Sequence, residues 1–273
     1  VSTDPSDTEK PADEPETIGS FALFLVKLVI AVLLFRTLVF STFSIPSESM
    51  QPRLWNGDFL IAAKWPYGYS HHSLPWSAPL FRGRIFASQP ARGDVVIFKA
   101  PPLANVDYIK RVIGLPGDQV QMIGGVVHIN GEPVPKVKIA DFVIPVSANT
   151  QCRDIRFRVE LGPGRAECRY PQFRETLPGG RSYNVLDFGV TPQDNTEGVV
   201  VPEGMLFLMG DNRDNSLDSR FPAEPNRGIG LVPQENLVGE AYFMIWSTDG
   251  SFEWSRPWTL FTAARRHRMG DGI

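Results

Sequence analysis

The chain has 273 residues, room for one or two domains, and its 42 % hydrophobic and 21 % charged content is ordinary for a folded protein. A formal charge of -3 gives no electrostatic basis for binding nucleic acid. The 24 glycines and 24 prolines are scattered rather than periodic, which argues against collagen, solenoids and propellers and for a loop-rich, strand-dominated domain.

Residues 1–17 are acidic and rich in Pro, Ser and Thr, with almost no large apolar groups to offset the entropy of ordering, and read as a disordered tail. Residues 18–40 are apolar except for Gly19, Ser20, Lys27, Arg36 and Thr37. A helix of that length extends about 35 Å, enough to cross a bilayer. Lys27 opposes insertion by about 2.5 to 3.5 kcal/mol, but the Ile, Leu, Val and Phe side chains sum to roughly -7 kcal/mol and outweigh it. An uncleaved transmembrane anchor is therefore expected. A cleaved export signal is the rival, disfavoured by the length of the run and its acidic leader. Lys10 alone precedes the span, so the pattern of positive charge does not orient it.

Beyond the anchor, segments 59–63, 94–99, 108–113, 119–123, 126–129, 199–201, 206–209 and 241–246 are short, rich in β-branched or aromatic residues and punctuated by Gly, Pro or Asn, and read as strands. Asn130-Gly131 closes one of them with a tight hairpin turn. Residues 65–90, with Trp65, Trp76 and His71-His72, read as an extended loop or hairpin. The patterned stretches 43–132 and 196–250 form one mainly β core, and 133–195 reads as an inserted second lobe. Its two cysteines, Cys152 and Cys168, lack the Cys or His companions of a metal site; in an oxidising compartment they could pair, otherwise they stay free thiols. Residues 251–273 carry Phe252, Trp254, Trp258 and Phe261 before Arg265-Arg266-His267-Arg268. They suit either a bilayer interface or closure of the core.

Three segments could carry chemistry. Ser49 lies between Pro46 and Pro52, in a turn that either presents its hydroxyl or lets it bond its own backbone. Strand alternation puts Lys110 on one face with Tyr108 and Val112. Its ammonium either snorkels to water or is desolvated, and lowering its pKa from about 10.4 to about 7 or 8 needs roughly 3 to 5 kcal/mol. A neutral amine can take a proton from a serine hydroxyl. Residues 210–220 have the oxygen content of a calcium loop, but Arg213 and Arg220 argue against a cation and for carboxylate-arginine pairs that set loop geometry. His71, His72, His128 and His267 lack the context of a catalytic triad.

These segments, in this order behind an anchor, resemble bacterial signal peptidase I. The matching blocks are Pro46-Ser47-Glu48-Ser49-Met50-Gln51-Pro52, Arg92-Gly93-Asp94-Val95-Val96-Ile97-Phe98-Lys99, the run from Tyr108 to Asp118, and the run from Gly210 to Arg220. The resemblance implies a signal-peptidase-type β-sheet core and a serine endopeptidase without cofactor or metal. By that resemblance Ser49 is the nucleophile and Lys110 its general base, and the Ser49 N-H with the Ser47 hydroxyl forms the oxyanion hole. Ser216 would orient Lys110, supported by Asp218, with Asp211, Arg111 and Arg220 as a salt-bridge set behind. Phe43, Ile45, Pro46, Met50, Leu54, Tyr108 and Ile109 would line pockets for small residues, Ala-x-Ala, ahead of the cut. The implied partners are secretory preproteins, the lipid bilayer and the nearby export translocon, with no nucleic acid. The implied location is the bacterial inner membrane, single-pass, with a cytoplasmic N-terminus and the catalytic domain on the periplasmic face, where a Cys152-Cys168 bridge is plausible. The rivals are a related Ser-Lys protease with one dedicated substrate and an inactive membrane-tethered binding protein.

Overall fold

A helix with apolar side chains on every face has no polar side to turn to water. Helix α1 (Ile18–Leu38) is of this kind, with a mean hydropathy of 2.6, and its side chains are exposed almost throughout. Its 21 residues extend about 32 Å. The computed structural model describes residues 18–225 and 227–273; the tail expected over 1–17 lies outside them. The helix stops short of the expected residue 40. Ser41 Oγ donates to the Arg36 carbonyl at 2.8 Å, satisfying an end group of the helix, while the chain from Phe40 onward pairs as a strand.

Seven antiparallel strands form the main sheet: β1 (Phe40–Ser44), β2 (Asp58–Ala63), β3 (Val95–Lys99), β4 (Asp107–Gly114), β5 (Met205–Met209), β6 (Val232–Pro233) and β7 (Leu237–Ser247). Their order across the sheet is β1-β2-β7-β3-β4-β5-β6. The architecture is mainly β. The expected strands are present, and β1 is an addition, because its Ser and Thr content hides a half-buried edge. The register of β7 slips against its neighbours between Leu237 and Gly239, Ala241 and Phe243, and Met244 and Trp246. Such bulges bend a strand and increase its twist, which curls the sheet.

The run Val95-Val96-Ile97-Phe98 shows how the core is divided. Val95 and Ile97 pack with Leu60, Ile109 and Met244 on one face, while Val96 and Phe98 pack with Val112, Leu208 and Leu237 on the other. A strand buried on both faces reads as a continuous apolar run rather than an alternation.

The Asn130-Gly131 turn has φ of 55° and 86°, and it joins Val126–Ile129 to Glu132–Pro133. Both positions need the left-handed region that Asn and Gly tolerate. These strands, with Gln119–Ile123 and Val199–Val200, make a four-stranded sheet. Two three-stranded sheets follow, built from Lys136–Lys138, Gln172–Thr176 and Ser182–Leu186, and from Phe142–Pro145, Arg165–Tyr170 and Arg158–Gly162. Cys152 and Cys168 are bonded, beside a cluster containing Trp55, Phe142 and Tyr170. Residues 65–90 are tied by pairing of Tyr69–Ser70 with Arg84–Ile85. In the C-terminal segment the cations turn inward: Arg268 pairs with Asp58 at 2.7 Å, and Arg265 donates to the Asn56 carbonyl at 2.9 Å. Trp254, Trp258 and Phe261 remain exposed.

Candidate active site

Pro46 and Pro52 prevent regular structure on either side of Ser49, and the chain turns here. Gln51 N donates to the Glu48 carbonyl at 3.1 Å and Leu54 N to the Met50 carbonyl at 2.9 Å. Met50 and Leu54, 1 % and 0 % exposed, sink into the core and anchor the turn. The Ser49 hydroxyl is thereby held toward β4. Lys110, sixty-one positions later, places Nζ 2.7 Å from Ser49 Oγ. Ser47 Oγ lies 3.3 Å from Ser49 Oγ.

Lys110 is 3 % exposed. Burial disfavours its ammonium and brings the pKa down to about 8, with Arg220 acting in the same direction; the carboxylates of Asp218 and Asp211 pull it back up in part. The Tyr108 ring lies 5.6 Å from Nζ. An amine so placed is neutral in a large fraction of molecules near pH 8, and its lone pair can then accept the serine proton.

The loop from Gly210 to Arg220 clamps this pair. Asn212 N donates to the Ser49 carbonyl at 3.0 Å, Asn212 Nδ2 to the Glu48 carbonyl at 3.2 Å, and Asn215 Nδ2 to Glu48 Oε2 at 3.1 Å. A Cβ on Gly210 would lie 2.5 Å from the Ser49 carbonyl oxygen and 2.3 Å from Ser216 Oγ, so this approach needs glycine. Two ion pairs back the loop rather than one set. Arg111 donates to Asp211 at 2.8 and 2.6 Å, whereas Arg220 pairs with Asp218 at 2.9 and 3.0 Å. Asp218 also accepts from Gly210 N at 3.0 Å. Burial pushes its carboxyl up, but Arg220, the Gly210 N-H and the nearby Ser216 hydroxyl hold it below the usual carboxylate range. The expected bond from Ser216 to Lys110 is absent among the described residues. Ser216 Oγ is buried near the Asp218 carboxylate without a well-directed hydrogen bond among the described residues.

Residues of the 133–195 stretch reach the same loop. Arg213 Nη2 donates to Glu175 Oε2 at 2.6 Å, Tyr183 OH donates to the same oxygen at 2.8 Å, and Arg111 stacks over the Tyr183 ring at 4.2 Å. Arg213 was expected to pair with a carboxylate, but its partner comes from outside the loop, and neither Glu175 nor Tyr183 carries a local signal in the sequence.

A cleft of about 420 Å³ opens beside Ser49 and Lys110. Phe43, Ile45, Pro46, Tyr108 and Ile109, which the resemblance implies for substrate pockets, line it together with Ile97, Val106, Asn215 and Leu217. Met50 and Leu54 do not line it. Their buried side chains pack with Ile45 and Ile97 beneath its floor, because the turn that presents Ser49 needs an apolar anchor. β1 and β4 stand four places apart in the sheet and still face one cleft, so curling has brought them together. Each also keeps backbone unpaired in the sheet: β1 pairs with β2 alone, and β5 meets β4 only from Arg111 onward.

A hydroxyl in contact with a desolvated amine, at the head of an apolar cleft, is equipment that serine hydrolases of the Ser-Lys type use. The comparisons with known proteins specify the class. The family model described as signal peptidase, peptidase S26, matches residues 18–246, and the chain belongs to this family of serine peptidases. Signal peptidase I of Rickettsia typhi is 38 % identical over 237 residues, covering 84 % of this chain and 80 % of that protein. Signal peptidase I of Rickettsia felis is 37 % identical over 252 residues, with 89 % and 83 % covered. A solved signal peptidase I from Enterococcus faecalis is 24 % identical, covering 56 % of this chain and 97 % of that one, with a TM-score of 0.29. With the apolar α1, the family points to a membrane-anchored protein.

Proposed function

We propose that this chain is a membrane-anchored endopeptidase that removes signal peptides from secretory preproteins, cutting after small residues with Ser49 and Lys110 as a catalytic dyad. The observation that carries the reading is the 2.7 Å contact between two side chains that are each more than nine-tenths buried. Neutral Lys110 takes the proton as Ser49 Oγ attacks the scissile carbonyl. The oxyanion forms beside the Ser49 N-H and Ser47 hydroxyl, donors of a kind worth about 3 to 4 kcal/mol each. The lysine then protonates the leaving amine, and in the second half it activates water to release the acyl group.

The substrate enters as an added strand between the unpaired backbone of β1 and the start of β4, so alternate side chains enter the apolar cleft while the intervening one faces out. That alternation suits an Ala-x-Ala pattern. α1 holds the domain at the inner membrane beside the export translocon, where a signal segment in the bilayer presents its cleavage point. The N-terminus is cytoplasmic and the domain periplasmic, an oxidising location that suits the Cys152-Cys168 bond.

Incubation with one secretory preprotein in detergent should yield two fragments that mass spectrometry places at a bond after a small residue, and Ser49→Ala should yield none. Cleavage by Ser49→Ala at the same bond would overturn the assignment. Because the amine must be neutral, kcat/KM should rise about fifty-fold from pH 6 to pH 8 and level off above, following the lysine pKa of about 8. A flat profile, or one that turns near the histidine range, is the contrary result. Gly210→Ala pushes the clamp off the Ser49 carbonyl and should reduce kcat/KM by about a hundredfold at saturating folding yield, checked by steady-state rates alongside circular dichroism. An unchanged rate would mean that the clamp does not position the nucleophile.

A further inference from the structure

A second cavity, of about 670 Å³, meets the cleft at Phe43 and Asp107 and runs toward the end of α1. One wall is the last turns of α1, including Leu33, Arg36 and Thr37, and the opposite wall is the 72–77 stretch. Its polar groups are unbalanced. Lys99 is matched by Asp107 at 3.0 Å, but neither Lys64 nor Arg36 has a carboxylate partner among the described residues.

Lys64 is 4 % exposed, and among the described residues its Nζ reaches only the Ser73 carbonyl, at 3.5 Å. A buried ammonium with one long hydrogen bond is costly. Burial accordingly brings its pKa down to about 8, against an upward pull from Asp107. His72 is 9 % exposed, and its Nδ1 has no partner among the described residues. Two unmatched cations and an unpartnered imidazole around one cavity make a receptor for an oxyanion. The cavity's other neighbours identify the source. Leu33 comes from within the apolar run of α1, and Trp76, 91 % exposed, stands at the lip. A free anion has no use for either, whereas a lipid would lay its chains along α1 and its glycerol beside the indole.

We infer that the cavity between the end of α1 and the 72–77 stretch binds the headgroup phosphate of an anionic phospholipid, with Lys64, Arg36 and His72 as its donors. This rests on the reading of α1 as a membrane span. Sharing Asp107 and Phe43 with the cleft, the bound headgroup steadies the edges between which substrate enters.

The test is native mass spectrometry of the full chain in detergent, titrated with dioctanoyl phosphatidylglycerol, dioctanoyl phosphatidylcholine or inorganic phosphate, with flotation on vesicles of the two lipids run in parallel. One phosphatidylglycerol adduct should form at least tenfold more tightly than either of the other two. Lys64→Gln and Arg36→Gln should each weaken it about tenfold. Arg36 is exposed, so its variant remains informative if Lys64→Gln folds poorly. Equal affinity for the two lipids, or wild-type binding by both variants, overturns the inference. Equal binding of inorganic phosphate assigns the cavity to a free anion, and displacement of the lipid by a preprotein assigns it to substrate; either result overturns it too. If the chain does not float with vesicles after an alkaline wash, the span reading itself fails, whereas flotation with unselective binding sinks this inference alone.

Discussion

Lys110→Met is expected to lower kcat/KM by about a thousandfold or more while leaving the domain as stable as the parent or more so. The side chain is nearly isosteric, and the nearby carboxylates of Asp211 and Asp218 keep Arg111 and Arg220 as their ion-pair partners, so removing the amine orphans neither. Lowering a lysine pKa from 10.5 to about 8 corresponds to about 3 kcal/mol of penalty on the folded state. That penalty is full below the folded pKa and fades as pH rises toward the unfolded value, since the unfolded chain binds the extra proton across that window. The parent's stability should therefore climb between about pH 8 and pH 10.5 by more than the variant's, a difference that urea unfolding at several pH values would detect. Lys110→Arg should be inactive as well, because a guanidinium does not give up its proton. Adding Ser49→Ala to Lys110→Met should cost little further, as members of one catalytic unit are not additive. A double variant a thousandfold slower than either single variant would mean that the two side chains act separately.

Asp218→Asn is expected to destabilise the domain by about 3 to 5 kcal/mol, a fall in melting temperature of roughly 10 °C. Both Asp218 and Arg220 side chains are fully buried, and the substitution leaves the guanidinium without its countercharge. Asn can still accept from Gly210 N, so the loop keeps part of its geometry. The same carboxylate favours the ammonium form of Lys110, so its loss lowers the amine's pKa below about 8. The acid limb of the pH-rate profile should accordingly move to lower pH in the protein that remains folded. Thermal melts and the profile together test the assignment. A stable variant would remove the buried pair from the account, and a limb moved to higher pH would reverse the electrostatic argument.

Local patterns explain which parts of the fold were legible. Continuous apolarity marks α1, and β-branched runs mark β3, β4 and β5, because these signals depend on neighbours a few residues away. Asn130-Gly131 works in the same way, through the φ values its two residues tolerate. Arg165–Tyr170 was harder to read. Ala166, Cys168 and Tyr170 alternate as buried positions, but the charged residues between them mask the period. β1 was absorbed into the anchor because Phe40 continues the apolar run, and only its pairing with β2 separates strand from helix.

The candidate site divides along the same line. Residue type and order made Ser49, Lys110 and the loop from Gly210 to Arg220 candidates, and the resemblance to signal peptidase I supplied the roles expected of them. What lay beyond reach was contact across the curled sheet: the pairing of Arg220 with Asp218 rather than Asp211, the turning of Met50 and Leu54 under the cleft, and the reach of Glu175 and Tyr183 to Arg213. Period and propensity act over a few residues. Which partner a buried charge finds, and which apolar side chain becomes floor rather than lining, depends on how strands distant in the chain close over one another.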